Sequence, residues 1–129
     1  MNTLRSFVAG ALLAGLAVVA SVQAAEPPSD AQALQQLQKS GSDLSKLHRV
    51  EYQLRFPVED EATGAAMRLE DLAFAVTLER DDAHDSWVVL AAKRMYPVET
   101  DLRQLSDKVK TVTSEAHGTY EGWRASQIK

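Results

Sequence analysis

The chain has no cysteine among its 129 residues. That excludes disulfides, a thiol nucleophile, a thiolate metal centre and a lipidated cysteine following an export signal. Glycine is sparse, with 6 residues, and these form neither a phosphate-cradling loop nor a nucleophile elbow. There is no internal repeat and no long low-complexity tract. Positive charge is in short supply: 14 Lys and Arg against 18 Asp and Glu give a net charge of −4. A protein that grips a phosphate backbone wants a concentrated positive face instead. The longest apolar run sits at the start of the chain, Phe7–Val19.

That run has the order of an export signal. Arg5 supplies a positive start, Phe7–Val19 the apolar centre, and Val22 and Ala24 the small residues of a cleavage site before Ala25. The run falls short of the roughly 20 residues that cross a bilayer, which makes an uncleaved anchor the weaker alternative. The expected product is cut between Ala24 and Ala25, keeps no stable membrane anchor, and is periplasmic or secreted. Removing the first 24 of 129 residues leaves 105 and takes away Arg5, so the charge becomes −5. A chain of that length forms one domain with its own core.

Residues 25–28 read as a flexible leader and residues 29–129 as the domain. Ser29 with Gln32 makes a capping box for a helix whose thin apolar stripe is Ala33, Leu34 and Leu37, and Gly41 stops it. His48–Phe56 alternates, with Val50, Tyr52, Leu54 and Phe56 on one face and Arg49, Glu51, Gln53 and Arg55 on the other. That is a half-buried strand ended by Pro57. Glu59–Glu70 predicts a small-sided helix with an acidic start, in which Gly64 is a weak point. Leu72–Arg80 alternates, residues 81–86 form a polar turn, and Trp87–Met95 is apolar on both faces in its first half, as a central strand would be. Thr100 or Asp101 is the expected cap of a strong helix carrying Leu102, Leu105, Val109, Val112 and Ala116. His117-Gly118 closes it, and Thr119–Ala125 predicts a last strand. The sum is an α+β chain: a βαββαβ ferredoxin-like sandwich with an extra N-terminal helix.

Three stretches carry a family resemblance: SGSDLSKLHRVEYQLRF (40–56), WVVLAAKRM followed closely by Pro97, and GTYEGW (118–123). Together they resemble the family of the regulator of ribonuclease E activity B, over about residues 30–125. The resemblance implies a ferredoxin-like fold and a non-enzymatic binder that inhibits an endoribonuclease by protein contact. It also marks Tyr120, Gly122 and Trp123 as the family signature. An export signal departs from that picture, because that ribonuclease is cytoplasmic.

Other residue groups give weaker leads. Tyr120 and Trp123 are candidate interface anchors, against the plainer reading in which Trp123 closes the core and Gly122 lets backbone approach. Asp81, Asp82, His84 and Asp85 are metal-friendly side chains without the spacing of a dedicated calcium loop. His48, His84 and His117 lack the i, i+4 spacing of a zinc helix and read as surface or boundary residues. The row Arg49–Arg55 mixes charges and holds no aromatic unless Trp87 joins it, which speaks against RNA stacking. The expectation is a non-enzyme with no cofactor, no metal and no nucleic acid, which binds a protein partner or itself. Two alternatives remain: a cytoplasmic inhibitor of endoribonuclease E that keeps its leader, and a small hydrolytic or ligand-binding enzyme using His84 or His117.

Overall fold

The computed structural model describes residues 26–129. The expected export signal and its junction at Ala24 and Ala25 lie outside the described residues. The elements in chain order are α1 (Asp30–Lys39), β1 (His48–Phe56), α2 (Glu59–Asp71), β2 (Ala75–Asp81), β3 (Ser86–Met95), α3 (Glu99–Glu115) and β4 (Thr119–Ala125). The strands form one antiparallel sheet in the order β2-β3-β1-β4. With α2 and α3 packed on one side of it, this is the ferredoxin-like α+β sandwich, and α1 is the addition.

Period-two alternation accounts for the sheet. Val50, Tyr52, Leu54 and Phe56 are all fully buried, facing Ala62, Ala65 and Leu69 of α2 and Leu102, Val109 and Val112 of α3 within one core. Burying a side chain the size of leucine contributes about 1.5–3 kcal/mol, so β1 is the strand on which the fold depends most. β3 lies between β2 and β1, which is why its sequence is apolar on both faces. The buried residues of α2 are mostly alanine, and small side chains let the helix lie close to the sheet.

Helix ends are handled in two ways. At α1, Ser29 Oγ accepts from the Gln32 N–H at 3.2 Å, and the Gln32 side chain accepts from the Ser29 N–H at 3.0 Å. Gly41, at φ 96°, turns the chain out after α1. At α3 the expected side-chain cap does not occur, and α2 has none either. Val58 and Val98 occupy the cap positions in extended conformation with no side-chain cap bond, so Thr100 and Asp101 lie inside α3. The reason is a four-residue run that recurs: Phe56-Pro57-Val58-Glu59 and Tyr96-Pro97-Val98-Glu99. Each proline ends a strand and each valine carries the chain into the helix. The first turns hold Glu59, Asp60 and Glu61, and Glu99 and Asp101, which answer the free N–H groups and the dipole. The same aromatic-Pro-Val-Glu corner therefore serves both strand-to-helix transitions.

Gly64 lies within α2, and a Cβ built there meets nothing within 4 Å. Gly64→Ala is expected to stabilise the domain by about 1 kcal/mol through helix propensity alone. Chemical denaturation with an unchanged m-value is the check, and an unchanged or lower midpoint would contradict it.

Candidate functional site

The helices leave one face of the sheet open. Register assigns the side chains to faces, because residues directly opposite across antiparallel strands share a face. Trp87 pairs with Phe56 and therefore lies on the helix side, where it packs against the core. The open face holds Arg49, Glu51, Gln53 and Arg55 from β1, opposite Arg94, Ala92, Leu90 and Val88 of β3. Ala75, Thr77, Glu79 and Asp81 of β2 continue the row. No aromatic from these paired strand positions stands on that face, so the base-stacking platform of a sheet-type RNA binder is missing there.

One end of the open face is neutralised internally. The Arg55 guanidinium donates to Glu121 at 2.9 Å, to Asp81 at 2.8 Å and to the Ser86 hydroxyl at 2.7 Å. Gln53 donates to the same Glu121 at 2.7 Å. Hydrogen bonds to the two carboxylates push the Arg55 pKa up. The Arg55 bond, with His84 as a second donor, holds the Asp81 carboxyl down at about 2. Beyond it, Arg80 bridges Asp82 and Asp85 at the β2–β3 turn. The acidic residues of that turn are thus engaged with Arg55, Arg80 and His84. Among the described residues no group of three or more His, Asp or Glu is placed to hold a metal ion.

The signature residues lie at the far edge of the sheet, under α1. Trp123 Nε1 donates to Asp30 at 2.9 Å, and Ser106 Oγ donates to the same Asp30 oxygen at 2.9 Å. Ser106 has one proton and gives it to the carboxylate, so the Tyr52 hydroxyl, 2.8 Å from Ser106 Oγ, is the donor in that contact. The relay runs Tyr52 to Ser106 to Asp30, with Trp123 arriving from the other side. It joins β1, α3, α1 and β4. Gly122 sits at a bulge with φ 94°, and a Cβ there would fall 2.8 Å from Pro27 Cβ. Tyr120 packs against Tyr52, with ring centroids 6.0 Å apart, and lies under Lys110 Nζ at 5.2 Å. Tyr120 and Trp123 are half-buried, so each keeps a portion of its ring at the surface.

Burial pushes the Tyr120 phenol up to about 12 and raises Tyr52 as well. Both stay protonated in the fold after the unfolded chain has begun to ionise. Their contribution to stability is therefore complete below the ordinary tyrosine value of 10.0 and is lost as pH rises through the folded value. Urea midpoints are expected to hold up to pH 10.0, the ordinary tyrosine value, and then to fall toward pH about 12. Tyr52→Phe should flatten the fall, and an equal fall in that variant would contradict the assignment.

The histidines are dispersed, and one of them departs from expectation. His48 is only 1% exposed. Its Nδ1 donates to the Lys46 carbonyl at 2.8 Å, and its Nε2 lies 2.6 Å from Ser42 Oγ. Ser42 also accepts from the Ile128 N–H at 2.9 Å, so this imidazole fastens the C-terminal residues to the α1–β1 loop. It is an interior residue because strand alternation places it on the helix side with Val50. His84 contacts Asp81, and His117 contacts Glu61 at 2.5 Å. Each of the three has a different set of neighbours.

No helix among the described residues is long and apolar enough to cross a membrane. No curated protein matches the chain. Residues 28–124 match the family model described as regulator of ribonuclease activity B. That span begins just before α1 and ends in β4, covering the sheet, its three helices and the Tyr120–Trp123 signature, so the chain belongs to the regulator of ribonuclease activity B family.

Proposed function

We propose that the protein is exported and acts outside the cytoplasm as a non-catalytic regulatory domain that binds another protein through the open face of its sheet. The observation that carries this reading is the open face itself. In a member of a regulator family, it is a broad surface with side chains of both signs, and α2 and α3 pack on the opposite side. The signal-like pattern of residues 1–24 supports export, with Ala24 and Ala25 as the junction. Domain boundaries follow the same reading: a leader over 25–28, and the binding domain over 29–129. Tyr120, Gly122 and Trp123 act in it indirectly, on the helix side of the sheet, by setting α1 on the sheet edge. The partner is a protein, either a distinct one or a second copy.

The family name favours a second reading, a cytoplasmic protein that keeps its leader and restrains a ribonuclease by direct contact. Fractionation of an expressing bacterial host followed by intact mass separates the two. The first reading expects a periplasmic product beginning at Ala25. A cytoplasmic product with the leader intact would overturn it and support the second.

A further inference from the structure

The charges on the open face are unevenly distributed. At the end away from the β2–β3 turn, Arg49 and Arg94 stand directly opposite each other on β1 and β3, an arrangement that like charges make unfavourable. Arg124, paired with Glu51 on the neighbouring strand, adds a third guanidinium. Glu51 is the one carboxylate in an ion pair at this corner among the described residues, 2.9 Å from Arg49 and 3.6 Å from Arg124, and Asp101 shares a groove with Arg94 on the α3 side. Arg94 makes no ion pair among the described residues. Beside the arginines the floor is alanine: Ala73, Ala75 and Ala92 line a depression of about 430 Å³ that Arg49, Lys93 and Arg94 also border. The strand ends beside it expose apolar side chains, Leu47 at 41% and Tyr96 at 53%.

We propose that this corner receives an acidic segment of the protein partner, its carboxylates on Arg94 and Arg49 and its apolar side chains against Leu47 and Tyr96. The proposal rests on the reading that the open face binds protein. Charge complementarity selects the occupant. The protein is acidic overall; Arg55, the other arginine of β1 on the open face, is paired internally, and Arg80, on the helix side over Trp87, is paired with Asp82 and Asp85. Excess positive charge is therefore confined to a patch the size of a few carboxylates. A long polyanion would meet that patch and then the acidic remainder of the surface. The unfavourable Arg49–Arg94 opposition also makes the corner a place where an incoming carboxylate removes a repulsion already present.

The test is fluorescence anisotropy with a fluorescein-labelled peptide alternating glutamate and valine, against the same peptide with lysine for glutamate. The purified protein is expected to bind the acidic peptide saturably, more weakly as salt rises, and to ignore the lysine peptide. Arg94→Glu should weaken binding roughly tenfold or more by setting like charges together. Its melting temperature should hold or rise, because a Glu opposite Arg49 replaces repulsion with attraction. Arg103→Glu, on the outer surface of α3, should leave peptide binding unchanged, although it breaks the Arg103–Glu99 ion pair. Absence of saturable binding, or equal binding by Arg94→Glu, would overturn the proposal. So would equally tight binding of single-stranded RNA or anionic vesicles that Arg94→Glu abolishes. If the peptide fails while a protein is still cross-linked through the open face, only the acidic chemistry falls. If no protein is reached through that face, the reading beneath it falls too.

Discussion

Replacing Gly118 with alanine is expected to destabilise the domain by about 3 kcal/mol, since overpacking a filled core costs that order. This corresponds to a loss of roughly 15 °C in melting temperature for a domain of this size. A Cβ at Gly118 would lie 2.3 Å from Cε1 and 2.6 Å from Cδ1 of Phe56. Phe56 is fully buried at the end of β1, wedged where α2 begins and β4 returns, so the ring cannot swing aside. His117 takes the left-handed conformation, φ 62°, and the Gly118 N–H reaches back to the Thr113 carbonyl at 2.8 Å. The helix stop is thus shared by two residues, and glycine is required for closeness rather than for φ. Thermal unfolding followed by circular dichroism gives the number. Phe56→Leu in the alanine background should recover part of the loss, because it empties the space the new methyl needs. An unchanged melting temperature in Gly118→Ala would show that the ring is free to move.

Asp30→Ala is the second large effect. It removes the carboxylate that accepts from both Trp123 Nε1 and Ser106 Oγ. Two donors in a half-buried site lose a charged acceptor, which costs about 2–3 kcal/mol when water takes up part of the deficit. The loss is expected to appear locally before it appears globally. α1 has one buried apolar residue, Leu37, so without the staple it should lift from the sheet edge. Trypsin should then cut at Lys39 faster than in the parent, and Trp123 emission should move to longer wavelength. Asp30→Asn keeps an oxygen acceptor and should lie between the two. A double-mutant cycle with Trp123→Phe isolates the shared bond. Additive effects would mean that Asp30 and Trp123 stabilise the fold independently.

These two effects mark the boundary of what the sequence shows. β1 is readable to the residue, since strict alternation and a following proline leave little freedom; β4 has its expected bounds after the glycine that follows α3, although a bulge breaks its alternation; and α3 follows from apolar steps of three and four. Local signals also suffice for the Ser29–Gln32 box and the Gly41 stop. What is not readable depends on register or on distance along the chain. Trp87 could face either way until its pairing with Phe56 is known. The Asp30–Trp123 bond joins residues 93 positions apart, and no spacing rule reaches that far. His48 looks like a strand-edge polar residue, yet alternation already assigns it to the face of Val50, a signal that was present and outweighed by residue type. Val98 hides the start of α3 because capping rules favour polar side chains, whereas there an acidic first turn replaces the cap; the start of α2 at Glu59 is legible from its acidic run. The Arg49–Arg94 opposition is invisible in sequence, because 45 residues separate the two arginines and only the β1–β3 register brings them together.

The open sheet face as the binding surface is the claim on which the account turns, and in-cell photo-crosslinking tests it most directly. A photoreactive benzoyl-phenylalanine in place of Thr77 samples the open face, and one in place of Arg103 samples the outer surface of α3. Both positions are exposed, so neither substitution disturbs the core. The account predicts a discrete cross-linked protein from position 77 and none from position 103. Adducts from position 103 alone, or from neither position, would contradict it.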